Sequence, residues 1–264
     1  MRRLIVSEDI VSGDRIHITD KEDILYISTV LRMTEGGGLL VSNGEGLLRE
    51  AEIEHVSKSG IELRIISEFP QDDEEKTRVT LYQGLPKGPK MEEIIRKATE
   101  LGVFRVVPVE TARSVPGADD INAAKLERWR RVAKEASKQS RRDRVPEVAD
   151  VTGLEEAAGG LSAEGYDLAL ALYELEEGRT LKQALRVLNE SIDRILAKAL
   201  QYYEGDSKPL EIAVFIGPEG GFESAEVERL VRAGAVSVTL GDTILRTETA
   251  GPAAIAMILY EMDM

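Results

Sequence analysis

Over the first seventy residues, short apolar stretches alternate with turn-forming ones. Residues 16–18, 39–41, 50–55 and 61–66 read as strands, because apolar side chains two apart fall on one face of a pleated chain. The glycines at 36–38 and the run Asn43-Gly44-Glu45-Gly46 separate them as turns. Strands this short close most readily into a small barrel. Residues 70–76 are polar, acidic and opened by a proline, so they read as a linker, and a domain boundary is placed after residue 72.

Beyond it the period changes. Residues 79–83, 104–109, 168–173, 212–216 and 236–240 are apolar runs of strand length, and 91–101, 122–139, 181–203, 225–233 and 253–261 carry a helical pattern. Five alternations predict an α/β domain with a mostly parallel sheet over residues 73–264, behind a β-rich domain over 1–72. Ligands of such sheets bind beyond the carboxyl ends of the strands, which directs attention to the loops after Ile216 and Leu240.

Composition narrows the chemistry. The chain of 264 residues has no cysteine, which excludes disulfides, thiolate metal sites and a cysteine nucleophile. Its two histidines, His17 and His55, give no ligand set, so no metal is expected. The longest apolar run, 250–260, falls short of the roughly 20 residues that span a bilayer, and the N-terminus lacks the apolar stretch of a signal peptide. A cytoplasmic protein without a membrane partner is expected.

A net charge of −14 opposes binding to nucleic acid, but its distribution matters more than its sum. Between Lys125 and Arg144, nine basic residues face three acidic ones. Leu126, Trp129, Val132, Ala133 and Ala136 form an apolar stripe there, with Trp129 as core packing, while Arg128, Arg131, Lys138 and Arg142 lie opposite. Such a face is either simply solvated or a surface for phosphates.

Three loops could carry chemistry. Gly217-Pro218-Glu219-Gly220-Gly221-Phe222 matches neither a dinucleotide fingerprint nor a Walker sequence, leaving a tight turn or another kind of ligand loop. Residues 240–250 run into an apolar helix that Thr247 or Thr249 could cap and whose start suits Glu248. Arg246 does not suit it, since a cation near a helix N-terminus is disfavoured and calls for an anionic partner. Lys87 and Lys90 sit on a third loop, punctuated by proline and glycine.

Taken together, these stretches resemble the ribosomal RNA small subunit methyltransferase E family of the SPOUT superfamily. The matching segments are GLPKGPKMEEIIRKATELGV (84–103), ARSV (112–115), KLERWRRVAKEASKQSRRDRVPEV (125–148), GPEGGF (217–222) and LGDTILRTETA (240–250), with VLR (30–32) in the first domain. The resemblance implies a SPOUT α/β domain with a C-terminal trefoil knot, a rare exception among folds. It also implies a PUA-like β-barrel that helps hold RNA, and a homodimer. The implied reaction is methylation of uridine N3 in 16S ribosomal RNA of the small subunit, with S-adenosylmethionine as cofactor.

Carried onto this chain, the cofactor would be held by Leu172, Tyr173, Gly217, Pro218, Glu219, Gly220, Gly221, Leu240, Ile244, Leu245, Arg246 and Thr249. Arg246 would orient the base or stabilise developing charge, with Glu248 and Glu219 handling protons or positioning. RNA phosphates would meet Arg2, Arg3, Arg32, Lys87, Lys90, Arg128, Arg131, Lys138, Arg141 and Arg142. Two departures stand out. Tyr26 is near the place where family members often carry histidine, and residues 175–209 form a longer segment than the family pattern, adding a helix. Three rivals are a SPOUT enzyme acting on a ribose 2′-oxygen or another base, a non-catalytic ribosome-assembly factor with this fold, and an α/β enzyme acting on a nucleotide phosphate. The intact LRTETA segment speaks against the second, and the missing phosphate-loop patterns against the third.

Overall fold

Alternating burial builds the first of two units. The computed structural model describes residues 2–6, 10–44, 47–70, 76–140, 142, 144–199 and 208–262. Contacts divide the chain into residues 1–74 with 137–145, and 75–136 with 146–264. In the first unit, β1 (Arg2–Ile5), β2 (Val11–Ser12), β3 (Arg15–Ile18), β4 (Gly38–Ser42), β5 (Leu47–Val56) and β6 (Ile61–Pro70) form one sheet in the order β1-β4-β5-β6-β3-β2. Only the β1–β4 pairing is parallel. Ile16, Ile18, Leu39, Val41, Ala51, Ile53, Ile61 and Leu63 alternate into its core, as the period-two pattern predicts. Register shifts between β5 and β6 at Glu50/Ala51 and Ile53/His55 add local twist and curl the sheet.

The strand pattern did not reveal α1 (Lys21–Leu25), which runs into a π-helical turn at Tyr26–Val30. Asp20 caps it, its carboxylate accepting from the N–H groups of Glu22 and Asp23 at 3.0 Å each. The single cut expected after residue 72 also omits part of this unit. Lys138 Nζ lies 2.5 Å from Oδ1 of Asp23, whose side chain is buried, and the Val145 N–H donates to the Gly44 carbonyl at 3.1 Å. The expected linker falls largely on residues 71–75, and part of one expected turn on 45 and 46, all outside the described residues.

The second unit begins with β7 (Thr77–Gly84), α2 (Lys90–Glu100), β8 (Arg105–Glu110), α3 (Ala123–Ser140), β9 (Glu147–Val148), β10 (Thr152–Gly153) and α4 (Leu154–Glu164). The last residues of α3 belong to the first unit. It continues through β11 (Leu168–Leu172), α5 (Leu181–Ala199), β12 (Leu210–Ile216), α6 (Ser224–Arg232), β13 (Val236–Val238) and α7 (Thr247–Met262). All strand pairings are parallel, in the order β10-β8-β7-β12-β11-β13, with β9 beside β8. Tyr82, Val107, Ala171 and Phe215 pack with α4 and α6 on one face, and α7 covers β7 and β12 together with α2. Trp129 is buried, as the stripe on α3 predicts.

The chain leaves β7 towards β8 on one side and places β12, β11 and β13 on the other. The sheet therefore has its topological switch between β7 and β12, where a crevice opens at the carboxyl ends of the strands. Residues 200–203 of the expected long helix lie outside the described residues. Among the described residues, no helix is long and apolar enough to cross a membrane.

Candidate active site

Loops after β7, β11, β12 and β13 converge on one cavity of about 860 Å³ at that switch, within the range of about 300–1,000 Å³ typical of small-molecule sites. Leu172, Tyr173, Gly217, Pro218, Glu219, Gly220, Gly221, Leu240, Ile244, Leu245, Arg246 and Glu248 line it, as do Lys90, Glu174, Glu176, Glu177, Thr180, Thr239, Asp242 and Thr247. Of the cofactor residues expected from the sequence, only Thr249 is absent from the lining. It is exposed in the first turn of α7, with its N–H bonded to the Arg246 carbonyl at 2.8 Å.

The convergence is held by one amide. Gln83, fully buried at the end of β7, donates from Nε2 to the Gly84 carbonyl (3.0 Å) and to Thr247 Oγ1 (2.9 Å), with the Gly217 carbonyl at 3.4 Å. Thr247 Oγ1 in turn donates to the Gly217 carbonyl at 2.7 Å. Thr247 therefore ties α7 to the glycine loop instead of capping the helix. The loops meet so closely that side chains are excluded. A Cβ on Gly84 would lie 2.7 Å from Pro218, and one on Gly217 would lie 2.8 Å from the Gly221 carbonyl carbon. The Gly221 N–H closes the turn onto the Pro218 carbonyl at 2.9 Å.

Arg113, which the sequence reading did not single out, supports the loop from outside. Its Nη1 donates to the Gly220 carbonyl at 2.6 Å, and its Nε lies 3.7 Å from Glu223. In the sequence only the ARSV segment at 112–115 points there, without a role for the arginine.

The charges in the cavity are uneven. Six carboxylates line it, from Glu174, Glu176, Glu177, Glu219, Asp242 and Glu248, against two cations, Lys90 and Arg246. Such a lining favours a positively charged ligand. Glu219 accepts the Lys87 backbone N–H at 3.1 and 3.3 Å and the Lys90 ammonium at 3.0 Å. Partial burial pushes its carboxyl up, but hydrogen bonds from its own backbone, Lys90 and the Lys87 N–H outweigh this and hold it below the usual range. Glu248, buried at the start of α7, lies 3.4 Å from the same ammonium. Arg246 is exposed, and its guanidinium makes no hydrogen bond or ion pair among the described residues.

The residues expected to meet phosphate are divided. Lys87 and Arg131 are exposed, as is Arg32, whose backbone adopts a left-handed φ of 51°. Arg128 is exposed but pairs with Glu92 at 2.8 Å. Lys138 neutralises buried Asp23, Lys90 points into the cavity, and Arg142 is half-buried with its N–H on the Ser137 carbonyl. Helical spacing identifies a face but not the partners already engaged there. Arg141 and the side chains of Arg2 and Arg3 lie outside the described residues.

Residues 73–259 match the family described as an RNA methyltransferase domain, and residues 18–66 that described as an RNA methyltransferase PUA domain. The chain is 34% identical over 244 residues to ribosomal RNA small subunit methyltransferase E of Bacillus subtilis, covering 92% of this chain and 89% of that protein. It belongs to the ribosomal RNA small subunit methyltransferase E family. The methyltransferase E family member from Synechocystis is 30% identical over 259 residues, covering 97% of this chain and 76% of that protein. Among solved structures, the methyltransferase E of Neisseria gonorrhoeae bound to S-adenosylmethionine superposes with a TM-score of 0.75 at 29% identity, covering 98% of this chain and 97% of that one. A methyltransferase from Legionella pneumophila in complex with the same cofactor gives 0.76 at 26% identity, covering 98% and 96%. The fold expected of the family, a β domain ahead of a parallel α/β domain, is the fold observed.

Proposed function

We propose that this protein methylates N3 of a uridine in 16S ribosomal RNA, with S-adenosylmethionine as methyl donor. The observation that carries the reading is the acidic cavity at the switch between β7 and β12, with the Arg246 guanidinium, unengaged among the described residues, in its lining. Its size, its excess of carboxylates and the bare glycine backbone at 217–221 suit a cationic cofactor that must pack closely against the chain. Leu172, Tyr173, Gly217 to Gly221, Leu240, Ile244 and Leu245 would hold it. Bound there, the cofactor supplies an electrophilic methyl group on a sulfonium.

The protein's own part is orientation and charge. The imide proton of N3 must leave before nitrogen can use its electron pair, so negative charge develops on the ring. Arg246 is placed to offset that charge. Glu219 is a poor proton acceptor, because the hydrogen bonds that hold its carboxyl low also occupy its oxygens. Its role is to fix the loop after β7, leaving the Lys87 side chain outside. RNA phosphates would be met by Lys87, Arg128, Arg131 and Arg32.

The decisive experiment is methyl transfer from labelled cofactor to unmethylated small subunits, followed by nucleoside analysis. Label in 3-methyluridine is expected. Label on a ribose or another base would overturn the substrate assignment and leave the family intact.

The same reading includes a homodimer. Ile244, in the lining of the site, and Met257 and Tyr260, on α7, are 77%, 48% and 66% exposed, apolar side chains that a second copy would cover. Light scattering should give twice the chain mass of 29.0 kDa, and a monomeric mass at assay concentration would remove the dimer.

A further inference from the structure

Of the two cations in the cavity lining, Lys90 is the one flanked by carboxylates. Lys90 opens α2, where an ammonium stands against the helix dipole, so its position is not explained by helix stability. Its Nζ lies 3.0 Å from Glu219 on the glycine loop and 3.4 Å from Glu248 on α7, and the residue lines the cavity. The family resemblance grouped it with phosphate contacts, but an ammonium engaged by two carboxylates from two other segments is not free to follow an RNA backbone.

The geometry leaves it a different task. An ammonium has three N–H groups, and two carboxylate oxygens lie within ion-pair distance of this one, which leaves at least one N–H for a further partner. The hydrogen bond it donates to Glu219, with charge attraction to both carboxylates, outweighs the opposing effect of desolvation and raises its pKa. Lys90 therefore stays a cation and does not serve as the base.

We propose that Lys90 is a catalytic residue of this site, donating a free N–H to a ring oxygen of the target uracil as the imide becomes an anion. This rests on the uridine-N3 reading above. When the N3–H bond breaks, the proton passes to solvent and the electron pair stays on the ring, shared among N3 and the two oxygens beside it. That pair then forms the N3–CH3 bond, while the C–S bond breaks and its electrons remain on sulfur. Lys90 and Arg246 supply two donors in one cavity for an anion with two oxygens. The flanking carboxylates leave the Lys90 cluster with a net negative charge, so its ammonium does not turn the local field against a cationic cofactor.

The test compares Lys90→Met and Lys90→Arg with the wild-type chain, after calorimetry with S-adenosylmethionine has established that each variant folds and binds. For Lys90→Met, turnover at saturating RNA should fall about 100-fold. The acid limb of its pH profile should move to higher pH, because the imide loses a stabilising charge. RNA affinity and its salt dependence should not change. Lys90→Arg, which keeps the charge, should recover most of the turnover and the original limb. A salt slope reduced by about one with turnover intact would make Lys90 a phosphate contact and overturn the proposal. A loss of turnover with an unmoved acid limb would also overturn it, reducing Lys90 to a strut between loops. The product nucleoside of the wild-type chain is identified separately, so a wrong substrate assignment is seen independently of Lys90.

Discussion

Arg246→Ala should lower turnover at saturating substrate by about 100-fold or more and leave the unfolding free energy within about 0.5 kcal/mol. The two halves of this expectation have separate grounds. The guanidinium is exposed and makes no hydrogen bond or ion pair among the described residues, so its removal breaks nothing in the fold. What Arg246 contributes to structure is its carbonyl, which accepts the N–H groups of Thr249 and Ala250 at 2.8 Å each, and alanine keeps that carbonyl. A cation beside the positive end of α7 also costs a few tenths of a kcal/mol, so the variant could melt slightly higher. Its place in the lining becomes worthwhile only if an anion forms there. Single-turnover methyl transfer beside a thermal melt measures both quantities, and near-normal turnover would take Arg246 out of the mechanism.

Gly217→Ala should weaken S-adenosylmethionine binding by at least about 100-fold and destabilise the fold by about 1–3 kcal/mol. The added methyl would lie 2.8 Å from the Gly221 carbonyl carbon, 2.9 Å from its Cα and 3.0 Å from the Phe222 nitrogen. All three are backbone atoms, and none can rotate away as a side chain would. The turn has little room to yield, because the Gly217 carbonyl is anchored to Thr247 and Gln83, and Gln83 is fully buried. Relief must come from opening the turn closed by the Gly221 N–H on Pro218, which is the wall of the cavity. Calorimetric titration of cofactor into the variant, together with urea unfolding, is the measurement. Unchanged affinity would mean that the glycine loop does not contact the cofactor.

The strands were readable because burial on one face forces a period of two, and the three chemical loops because glycine, proline and charge interrupt that pattern. What escaped was structure whose cause lies at a distance. Residues 154–164, rich in alanine and glycine, show only a weak apolar stripe, and α4 forms by packing against β8 and α6. The helical pattern covers only residues 253–261, with Thr247 or Thr249 as the candidate cap ahead of it. The helix α7 starts at Thr247 instead, because Gly251 faces Leu81 and Gln83, where a side chain would crowd the approach to β7. The cavity was legible in part. Segment order located the glycine loop and Arg246, but no spacing rule links Lys90 to Glu219 and Glu248, or Arg113 to Gly220, across more than a hundred residues.

The return of residues 137–145 to the first unit has a consequence for how the protein is made. Among the described residues, the counter-ion of buried Asp23 is Lys138, and the Gly44 carbonyl gains the Val145 N–H only after Lys138 has been made. The two contacts therefore wait for roughly 70 further residues to be translated, several seconds at about 5–20 residues per second. During that interval the six strands, all within residues 2–70, have been made and these two partners have not. A gene fragment ending at residue 72 would leave the Asp23 carboxylate and the Gly44 carbonyl without these partners, so transplanting the N-terminal module into another protein requires the distant segment to travel with it.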